Sequence, residues 1–410
     1  MAQSILQQPT TPNGTLSNLM YVVSSSNANT KPQFRYIAQV QFSGSSDVLY
    51  ESKIFPNSAS SGVFDLAHIY NDYLSLDVDL NTLTITGSNA SGSAKFVVRF
   101  GEEYGTSLSS STTEYFSQST SNPIIVVPTK VNPDYGSYNY DSSSLGEVNA
   151  LTSFPFYQGN VFDKAEIDNM KTVSYTGDYE TLQVLNYNSN PLQINEVIVA
   201  NYDVNGNFLS DFDLTGSFPQ DTLLSVYVGP QNFLDKGGIY QTQFEEDWYY
   251  YRVSLVDSSG SFENYWYKRN DGCETYKTRF VWLNDLGGWE FFNAYVYDSK
   301  STSVKRQTYT QNFASYSGRN PQYNIESRGK TNYYTSYQDE FNIVSDWLTT
   351  NEANWLGTIF ESNDVYVQSG SLFLPINIKN ASYAWKTNPK GQKIFQYDFN
   401  YEYSNKRQSR

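Results

Sequence analysis

Apolar and polar residues alternate over several stretches of the chain, in the pattern of β-strands that bury one face and wet the other. From Phe34 to Phe42 every second position is apolar, and Arg35, Gln39 and Gln41 lie among the residues between them. Near the C-terminus, aromatic residues alternate with polar ones from Phe395 to Tyr403. These stretches predict half-exposed antiparallel strands.

Turn residues divide the middle of the chain into a series of predicted hairpins. Asn205-Gly206 is the strongest short hairpin signal, and Asp271-Gly272 and Gly287-Gly288 mark further reversals between runs of β-branched and aromatic residues. The strands predicted from these runs are 196–204, 208–214, 247–257, 262–269, 274–284, 289–298 and 303–309. The sequence therefore predicts a β-meander in this region.

Helical spacing occurs at only two places that the pattern singles out. Between Phe64 and Leu74 the apolar residues change to a period typical of a short helix, with His68 pointing away from its apolar face. Thr349 followed by Glu352 is a capping-box signature at the start of a second short amphipathic helix. The fold class predicted is mainly β, with multi-domain antiparallel β-sandwiches and a few short helices.

Changes in pattern along the chain predict three domains. Residues 1–128 are expected to form an N-terminal β-sandwich of fibronectin or immunoglobulin type. A stretch rich in Pro, Gly, Ser, Asn and Tyr follows, and it is typical of a linker arm. Residues 129–318 are then predicted to form the arm and a central β-meander domain, and residues 319–410 a C-terminal α+β domain with one short helix.

The charge balance narrows the class of partners. The 410 residues carry a net charge of −15, and acidic residues outnumber basic ones along the whole chain, which argues against an extended nucleic-acid-binding face. The compact basic group of Lys406, Arg407 and Arg410 is expected to be a solvated tail. With 17% charged and 17% aromatic residues, the surface is predicted to suit contacts with other proteins or with sugars.

Targeting and disulfide signals are missing from the sequence. Cys273 is the single cysteine, which excludes an internal disulfide and a multi-cysteine metal site. No apolar run approaches the roughly 18 residues of a membrane helix, and the N-terminus lacks the basic and apolar segments of a signal peptide. The chain is expected to fold in a cytoplasm, without a membrane and without a cofactor.

A search for catalytic chemistry finds no nucleophile elbow, phosphate-binding loop, dinucleotide fingerprint or zinc-protease motif. The single histidine, His68, cannot form a histidine-based metal site alone. A pair of facing carboxylates stays open as a glycosidase-like alternative. The acidic residues considered for it are Glu102, Glu103, Glu245, Glu246 and Asp247. Since acidic clusters usually lie on solvated faces, the sequence predicts no enzymatic activity.

Two binding alternatives also stay open. The acidic and amide residues from Asp203 to Asp213 could suggest a calcium loop, but the twelfth position of an EF-hand beginning at Asp203 is Leu214 rather than glutamate. Exposed aromatic rings could stack on sugars. The tryptophans considered for this role are Trp248, Trp266 and Trp385. The alternative function is therefore a carbohydrate-binding β-sandwich, as a phage receptor-binding or fibre component or a bacterial surface adhesin.

The hairpin from Tyr276 to Tyr297 is the most distinctive stretch of the chain. Two glycines at its turn lie between tryptophans on the two predicted strands. We expect Trp282 to lie in the core and Trp289, next to an exposed turn, to contact a neighbouring subunit. The residues predicted for this interface are Asp285, Leu286, Gly287, Gly288 and Trp289. No catalytic, cofactor-binding or metal-binding residue is assigned.

The residues from Arg279 to Phe292 resemble a pattern, R-F-x-W-L-N-x-x-G-G-W/Y-[DE]-x-F, of virion proteins from tailed bacteriophages of Bacteroidetes, including crAss-like phages. The stretches 19–25, 34–38, 345–352 and 401–407 are similar to the ends of such proteins, so the resemblance touches most of the length. The family implies a β-rich structural subunit of the tail or of the collar rings between portal and tail. Its motif is not an active site and transfers no binding residue.

The expected function is thus a non-enzymatic virion subunit, assembled in the host cytoplasm, that forms part of the tail or of the collar or adaptor ring. Its expected partners are further copies of itself in a closed ring and other tail, collar or portal proteins, with no sequence-specific nucleic acid. A phage fibre or depolymerase is disfavoured, because the sequence has neither coiled-coil heptads nor an obvious β-helical repeat.

Overall fold

The computed structural model describes residues 3–76, 85–86, 92–129, 150–186, 194–214, 216–244, 247–257, 260, 262–270, 272, 277–295, 298–310, 315–322, 329–370, 372–387, 393–405 and 407–409. Strands dominate these residues, and helices are few and short. The chain divides into two compact units. Unit 1 contains Met1–Gly272 and Leu283–Glu290, and unit 2 contains Cys273–Trp282 and Phe291–Arg410. The predicted fold class, mainly β with several antiparallel sheets, is confirmed.

The first part of unit 1 consists of two facing sheets and one short helix. Its strands are β1 (Gln3–Gln7), β2 (Asn13–Gly14), β3 (Met20–Ser25), β4 (Arg35–Phe42), β5 (Tyr50–Ile54), β6 (Ser61–Asp65), β7 (Ile85–Thr86), β8 (Ala94–Gly105), β9 (Thr112–Thr120) and β10 (Ile124–Val127). Three strands form the sheet β1-β3-β6, and the facing sheet has the order β2-β10-β8-β4-β5, with β9 also paired to β8.

Aromatic side chains fill the space between these two sheets. Tyr21 of β3 and Phe64 of β6 each lie 5.8 Å from the ring of Phe100, which the other sheet supplies. Helix α1 (Ala67–Asn71) closes the core, and its Tyr70 hydroxyl lies 2.9 Å from that of Tyr21. The helix is shorter than the predicted 64–74, because Phe64 belongs to a strand that pairs with β3. His68 is exposed, as predicted.

The second part of unit 1 adds two sheets. Its strands are β11 (Lys171–Val173), β12 (Thr181–Asn186), β13 (Ile194–Tyr202), β14 (Phe208–Asp213), β15 (Thr222–Tyr227), β16 (Tyr250–Asp257) and β17 (Phe262–Arg269). One sheet has the order β11-β17-β16-β13-β14, and the other the order β12-β15-β7. Helices α2 (Pro230–Lys236) and α3 (Gly238–Gln243) pack on the first sheet through Phe233, which contacts Phe212 and Tyr251.

Unit 2 is built around one large sheet. Its strands are β18 (Thr278–Leu283), β19 (Trp289–Ala294), β20 (Asp298–Thr310), β21 (Ser315–Ser317), β22 (Asn320–Gln322), β23 (Lys330–Val344), β24 (Val365–Ser369), β25 (Leu372–Thr387), β26 (Lys393–Tyr403) and β27 (Arg407–Ser409). The order is β19-β18-β24-β25-β26-β23-β20, with β27 paired to β23, while β21 and β22 pair with each other.

Helix α4 (Thr350–Gly357) confirms the predicted capping box. The Thr349 hydroxyl accepts a hydrogen bond from the Glu352 backbone N–H at 3.2 Å, and the Glu352 carboxylate accepts one from the Thr349 N–H at 3.0 Å. These bonds satisfy backbone donors that a helix N-terminus leaves unpaired. The buried face of the helix, which includes Trp355 and Leu356, packs in unit 2.

The units cut the chain differently from the three predicted segments. The boundary predicted between residues 128 and 129 falls inside unit 1, and the one predicted between 318 and 319 falls inside unit 2. The region predicted as the N-terminal sandwich nevertheless has a hydrophobic core of its own, made of residues between Leu19 and Val126. The linker predicted after it lies largely outside the described residues.

Candidate functional site

The motif-bearing hairpin is divided between the two units. The outer parts of its strands, up to Trp282 and from Phe291, belong to unit 2, whereas the tip Leu283–Glu290 belongs to unit 1. Trp282 is fully buried, its indole N–H donates to Thr358 Oγ1 at 2.9 Å, and its ring lies 5.2 Å from that of Trp355. The prediction that Trp282 is a core residue is confirmed.

The turn at the tip depends on one asparagine and one left-handed glycine. Asn284 accepts backbone hydrogen bonds on its side-chain oxygen from Leu286 and Gly288, both at 2.9 Å. Its own backbone oxygen accepts from the N–H of Gly287 at 3.1 Å. Gly287 has φ +83°, a conformation that costs side-chain-bearing residues free energy. This local chemistry explains the glycine that the sequence places there.

The tip is docked inside unit 1 rather than exposed. A Cβ on Gly288 would overlap the backbone carbonyl of Leu151, and one on Gly287 would lie 3.0 Å from the carbonyl oxygen of Pro128. The Trp289 side chain is only 4% exposed, and its backbone N–H donates to Gln183 Oε1 at 2.9 Å. The prediction that this turn is exposed is wrong, because the backbone of unit 1 covers both glycines.

The five residues predicted for a subunit interface therefore fall into two groups. Gly287, Gly288 and Trp289 are buried within the chain, whereas Asp285 and Leu286 are half-buried. The contacts that the structure gives to the first group are intrachain ones. A contact of these five residues with another subunit stays a prediction. Trp289 cannot anchor such a contact from the surface, because its side chain is buried.

Glu290, directly after the turn, enters a buried ionic cluster that the sequence reading missed. Its Oε1 accepts hydrogen bonds from Ser153 N at 2.7 Å, Thr152 Oγ1 at 2.9 Å and Asn284 Nδ2 at 2.9 Å. Its Oε2 lies 3.6 Å from Lys171 Nζ. The sequence does contain one indication of this cluster, which is a charged residue between the aromatic residues Trp289 and Phe291 of a predicted strand.

Lys171 joins two carboxylates in this cluster. Its Nζ also lies 2.8 Å from Glu180 Oε2, and the side chains of Lys171, Glu180 and Glu290 are at most 5% exposed. Burial raises the pKa of the neighbouring Tyr267 hydroxyl well above its usual value, and the two carboxylates add to this effect. We call these three charged side chains the tip cluster. These side chains are enclosed by protein next to the docked tip.

Three of the carboxylates considered for catalysis, Glu102, Glu103 and Asp247, lie in the described part of the chain and have different surroundings. Glu102 is fully buried and accepts from Asn27 Nδ2 at 2.8 Å. Its neighbour Glu103 is held by Thr112 and by Lys53, and these bonds lower the pKa of its carboxyl. Successive residues of β8 face opposite sides of the sheet. Asp247 is exposed and distant in sequence, and Glu245 and Glu246 lie outside the described residues.

The aromatic and calcium alternatives also change. Trp248 and Trp266 are 1% and 0% exposed, so they cannot serve as sugar-stacking platforms, and the side chain of Trp385 lies outside the described residues. Asp203 accepts hydrogen bonds from the backbone N–H groups of Asn205 and Asn207, both at 2.8 Å. This carboxylate thus shapes the β13–β14 turn.

The described residues contain neither a candidate metal-binding group nor a helix that could span a membrane. Among the residues that the structure describes, three or more His, Cys, Asp or Glu side chains do not gather into a group able to hold a metal ion. In the same part of the chain, none of the helices has the length and apolar character needed to span a membrane. Cys273 lies outside the described residues.

β20 is a long exposed strand that forms a ribbon with β23. Its register runs from Asp298 opposite Ile343 to Thr310 opposite Lys330. Residues 299–310 are all exposed, so neither face of β20 is covered. β20 ends the strand order, which leaves its other edge without a strand partner among the described residues. The sequence predicted a strand at 303–309 but neither β23 nor this exposure.

Comparisons with known proteins identify no family. No protein-family model matches the chain, and no curated protein matches it. Among solved structures, a marsupial T cell receptor aligns with 7% identity and a TM-score of 0.18, covering 100% of this chain and 98% of that one. Dimeric latent PorU from Porphyromonas gingivalis aligns with 8% identity and a TM-score of 0.17, covering 83% of this chain and 32% of that one.

A third solved structure, the native conformation of E. coli alpha-2-macroglobulin, aligns with 7% identity and a TM-score of 0.16. The alignment covers 100% of this chain and 34% of that one, so the chain spans about a third of the length of two of these three structures. TM-scores at this level describe unrelated arrangements of β-structure. None of these similarities bears on what the chain does.

Proposed function

We propose that this chain is a non-enzymatic structural subunit of a tailed-phage virion. It forms part of the tail, or of the collar or adaptor ring between portal and tail, and it assembles with copies of itself into a closed ring. It acts in the virion after assembly in the host cytoplasm, with neighbouring tail, collar or portal proteins as further partners.

The observation that carries this proposal is the exposed outer strand, β20, of the β20–β23 ribbon. Residues 299–310 are exposed on both faces of β20, and at the outer end of the ribbon, where neither β26 nor β27 pairs with β23, it has only two strands. Two strands alone are marginal in water, and an unpaired strand edge invites pairing with another chain. Here the ribbon extends over thirteen residues of β20, from Asp298 to Thr310. An element of this kind is stabilised when a second protein covers it, as happens in an assembly.

The structural use of the motif supports the same proposal. Arg279 donates to Asn293 Oδ1 at 2.8 Å, Trp282 fills the core of unit 2, and Gly288 and Glu290 hold the tip in unit 1. The residues that resemble the virion proteins thus serve the fold of the hairpin. A motif whose residues hold the fold together is expected in a family of structural proteins. None of these residues is assigned a role as nucleophile, acid or base.

The absence of catalysis rests on positions of individual groups. Among the acidic side chains considered for a carboxylate pair, Glu103 bonds Thr112 and lies beside Lys53, Glu102 is fully buried, and Asp247 is exposed. Hydrolysis of a glycosidic bond needs two carboxyl groups that flank the bond at a defined separation. We therefore propose a function based on binding surfaces alone.

Mass photometry tests the assembly directly. The purified chain, alone and mixed with the portal and tail proteins of the phage that encodes it, should give a species at an integral multiple of the subunit mass. Negative-stain electron microscopy of that species should show closed rings. A chain that stays monomeric in every mixture and is absent from purified virions would contradict the proposal.

A further inference from the structure

The outer part of the β20–β23 ribbon has the opposite charge to the rest of the chain. The acidic residues of its two strands, Asp298, Asp339 and Glu340, lie at the end next to β26, whereas the described residues of the outer part and its connection, 299–310, 315–322 and 329–338, contain no aspartate or glutamate. They contain five basic residues: Lys300, Lys305, Arg306, Arg319 and Lys330. Removing these five from the 27 basic and 42 acidic residues of the chain leaves 22 bases against 42 acids, a net charge of −20. The ribbon is therefore a basic arm on an acidic protein.

The arm also carries exposed apolar and aromatic groups. Val304 is 48% exposed, Tyr309 46% and Tyr333 63%. The rings of Tyr309 and Tyr333 lie 6.1 Å apart, and the Tyr333 hydroxyl donates to Gln307 Oε1 at 2.6 Å. Tyrosine and arginine are enriched in the buried centres of protein interfaces. Exposed aromatic and apolar side chains beside basic ones are typical of a surface that binds another protein, whereas a solvated loop carries mainly polar side chains.

Most of the arm's charges are not used within the described part of the chain. Lys300 pairs with Asp339, with Nζ 2.7 Å from Oδ2. For Lys305, Arg306 and Lys330, by contrast, the described residues supply no carboxylate within ion-pair distance. Lys305 and Arg306 lie opposite Ser336 and Thr335 of β23, whose other edge pairs with β27, and Lys330 lies at the outer end of the ribbon opposite Thr310. They are available to a carboxylate from another molecule.

The same chain carries a strand edge of complementary character. β14 ends the strand order of its sheet, so its outer edge has no strand partner among the described residues. Phe208 and Leu209 are 56% and 42% exposed, and Asp211 and Asp213 are exposed on the face opposite the buried Phe212. We call Phe208–Asp213 the acidic edge. It combines exposed apolar side chains with the negative charges that the outer part of the basic arm lacks.

We propose that the basic arm of one copy of this chain docks on the acidic edge of a second copy. β20 adds to the sheet of its neighbour through the free edge of β14, and Lys305 and Arg306 face Asp211 and Asp213. Main-chain hydrogen bonds between two edges supply affinity, the opposite charges of arm and edge attract, and the like charges of two arms disfavour arm-to-arm pairing. The inference rests on the proposed homo-oligomeric function and names the two surfaces that meet.

The contact joins two different surfaces, so it is head-to-tail. Such a contact generates a ring if the rotation between copies closes. A nucleic acid is a poorer occupant, since the remainder of the chain, with its charge of −20, repels phosphate while the arm attracts it. A second copy of the chain is the better occupant. Its acidic edge binds the arm of the first copy, and its own arm stays free to bind the next copy.

The test is a charge swap in the full chain. Sedimentation velocity at low and at high salt measures self-association of the wild type, of Lys305→Glu/Arg306→Glu, of Asp211→Lys/Asp213→Lys, and of the combined four-site variant. Each double variant should weaken association about tenfold or more, and the combined variant should recover most of it. Raising the salt concentration should also weaken the self-association of the wild type, because salt screens the charges.

The matched control is Lys31→Glu/Lys164→Glu, which makes the same change in net charge at two exposed bases outside the arm. It should associate like the wild type. Thermal melts of every variant verify that each one folds. Binding of the arm to a DNA duplex is measured in parallel, and duplex binding lost in Lys305→Glu/Arg306→Glu without any change in self-association would overturn the inference in favour of a nucleic-acid partner.

The outcomes separate this inference from the proposed function. If the wild type forms closed rings that survive both charge reversals, the docking inference is wrong and the ring proposal stands. Association lost in both double variants with no recovery in the combined variant would also overturn the pairing. A wild type that is monomeric at every concentration overturns the inference, and its absence from virions would overturn the function as well.

Discussion

Gly288 is a position at which the fold leaves no room for a side chain. Any side chain there meets the backbone carbonyl of Leu151, and backbone cannot move aside as the end of a flexible side chain can. Its φ lies outside the left-handed region, so the constraint is space and not conformation. A single methyl group at this position therefore tests whether the hairpin tip is docked as described.

Gly288→Ala should lower the free energy of unfolding by about 1–3 kcal/mol, the usual cost of overpacking a filled site. Gly44→Ala is the control, because Gly44 has φ +87° and open space around it. Its cost should be limited to the left-handed backbone penalty of about 1–2 kcal/mol or less. Denaturant titrations of both variants measure the difference. Equal stability of Gly288→Ala and the wild type would show that the tip is not packed against Leu151.

Trp289 separates a folding role from an assembly role. Since its side chain is 4% exposed within one chain, Trp289→Ala should lower the free energy of unfolding by about 3–5 kcal/mol, as for other large core truncations. Trp347→Ala, at a position that is 43% exposed, should cost about 0.5 kcal/mol or less. Urea unfolding followed by tryptophan fluorescence compares them. A Trp289→Ala chain that unfolds like the wild type but fails to assemble would restore the interface hypothesis.

At the scale of elements, the tip cluster joins three separate segments of unit 1. β11 supplies Lys171, the segment before β12 supplies Glu180, and the hairpin tip supplies Glu290. Two carboxylates share one ammonium group in a place that water does not reach. Removing the cation leaves two buried carboxylates without the positive charge of Lys171, which is costly where the medium solvates them poorly.

Lys171→Met should therefore destabilise unit 1 by about 3–5 kcal/mol, as when one partner of a buried ion pair is removed. The control is Lys95→Met, which breaks the surface pair with Asp221, whose side chains are 41% and 24% exposed. That change should cost about 1 kcal/mol or less. Differential scanning calorimetry gives both values. Similar melting of the two variants would mean that the tip cluster contributes little to docking.

The ribbon is the element whose stability should depend on assembly. Its backbone hydrogen bonds are open to water, because residues 299–310 are exposed on both faces. Amide hydrogen exchange should be fast there in the monomer and slower by about tenfold or more in the assembled state, since covering a strand raises its opening free energy. β8, buried in unit 1, serves as the reference and should stay protected in both states. Equal exchange of the ribbon in both states would place it outside the assembly contacts.

At the scale of the whole molecule, the local patterns predicted the fold class and much of the hairpin. The alternation of apolar and polar residues predicted β4 and β26, and Thr349 with Glu352 predicted the start of α4. Each of these signals lies within a few residues of the chain. The docking of the tip was not predictable in this way. It depends on Leu151 and Lys171, more than a hundred residues away from Gly288 and Glu290, and no periodicity encodes such a contact.

The ribbon shows the same limit in another form. A strand pattern at 303–309 reveals an extended backbone, but not whether either face is covered. Coverage is decided by which strands reach that part of the sheet, and here β26 pairs with β23 only from Glu340 to Val344 and β27 only from Thr335 to Tyr337. The Gly-Gly-Trp stretch misled for a related reason, since a glycine turn is equally compatible with exposure and with close backbone packing.

The central claim is that this chain works as a subunit of a closed virion ring. Electron cryomicroscopy of intact phage particles, with the chain docked into symmetric density, tests it most directly. The account predicts a ring of identical copies in the tail or between portal and tail, with the ribbon of each copy against its neighbour. Particles that lack the chain, or that hold it as single copies with uncovered ribbons, would contradict the account.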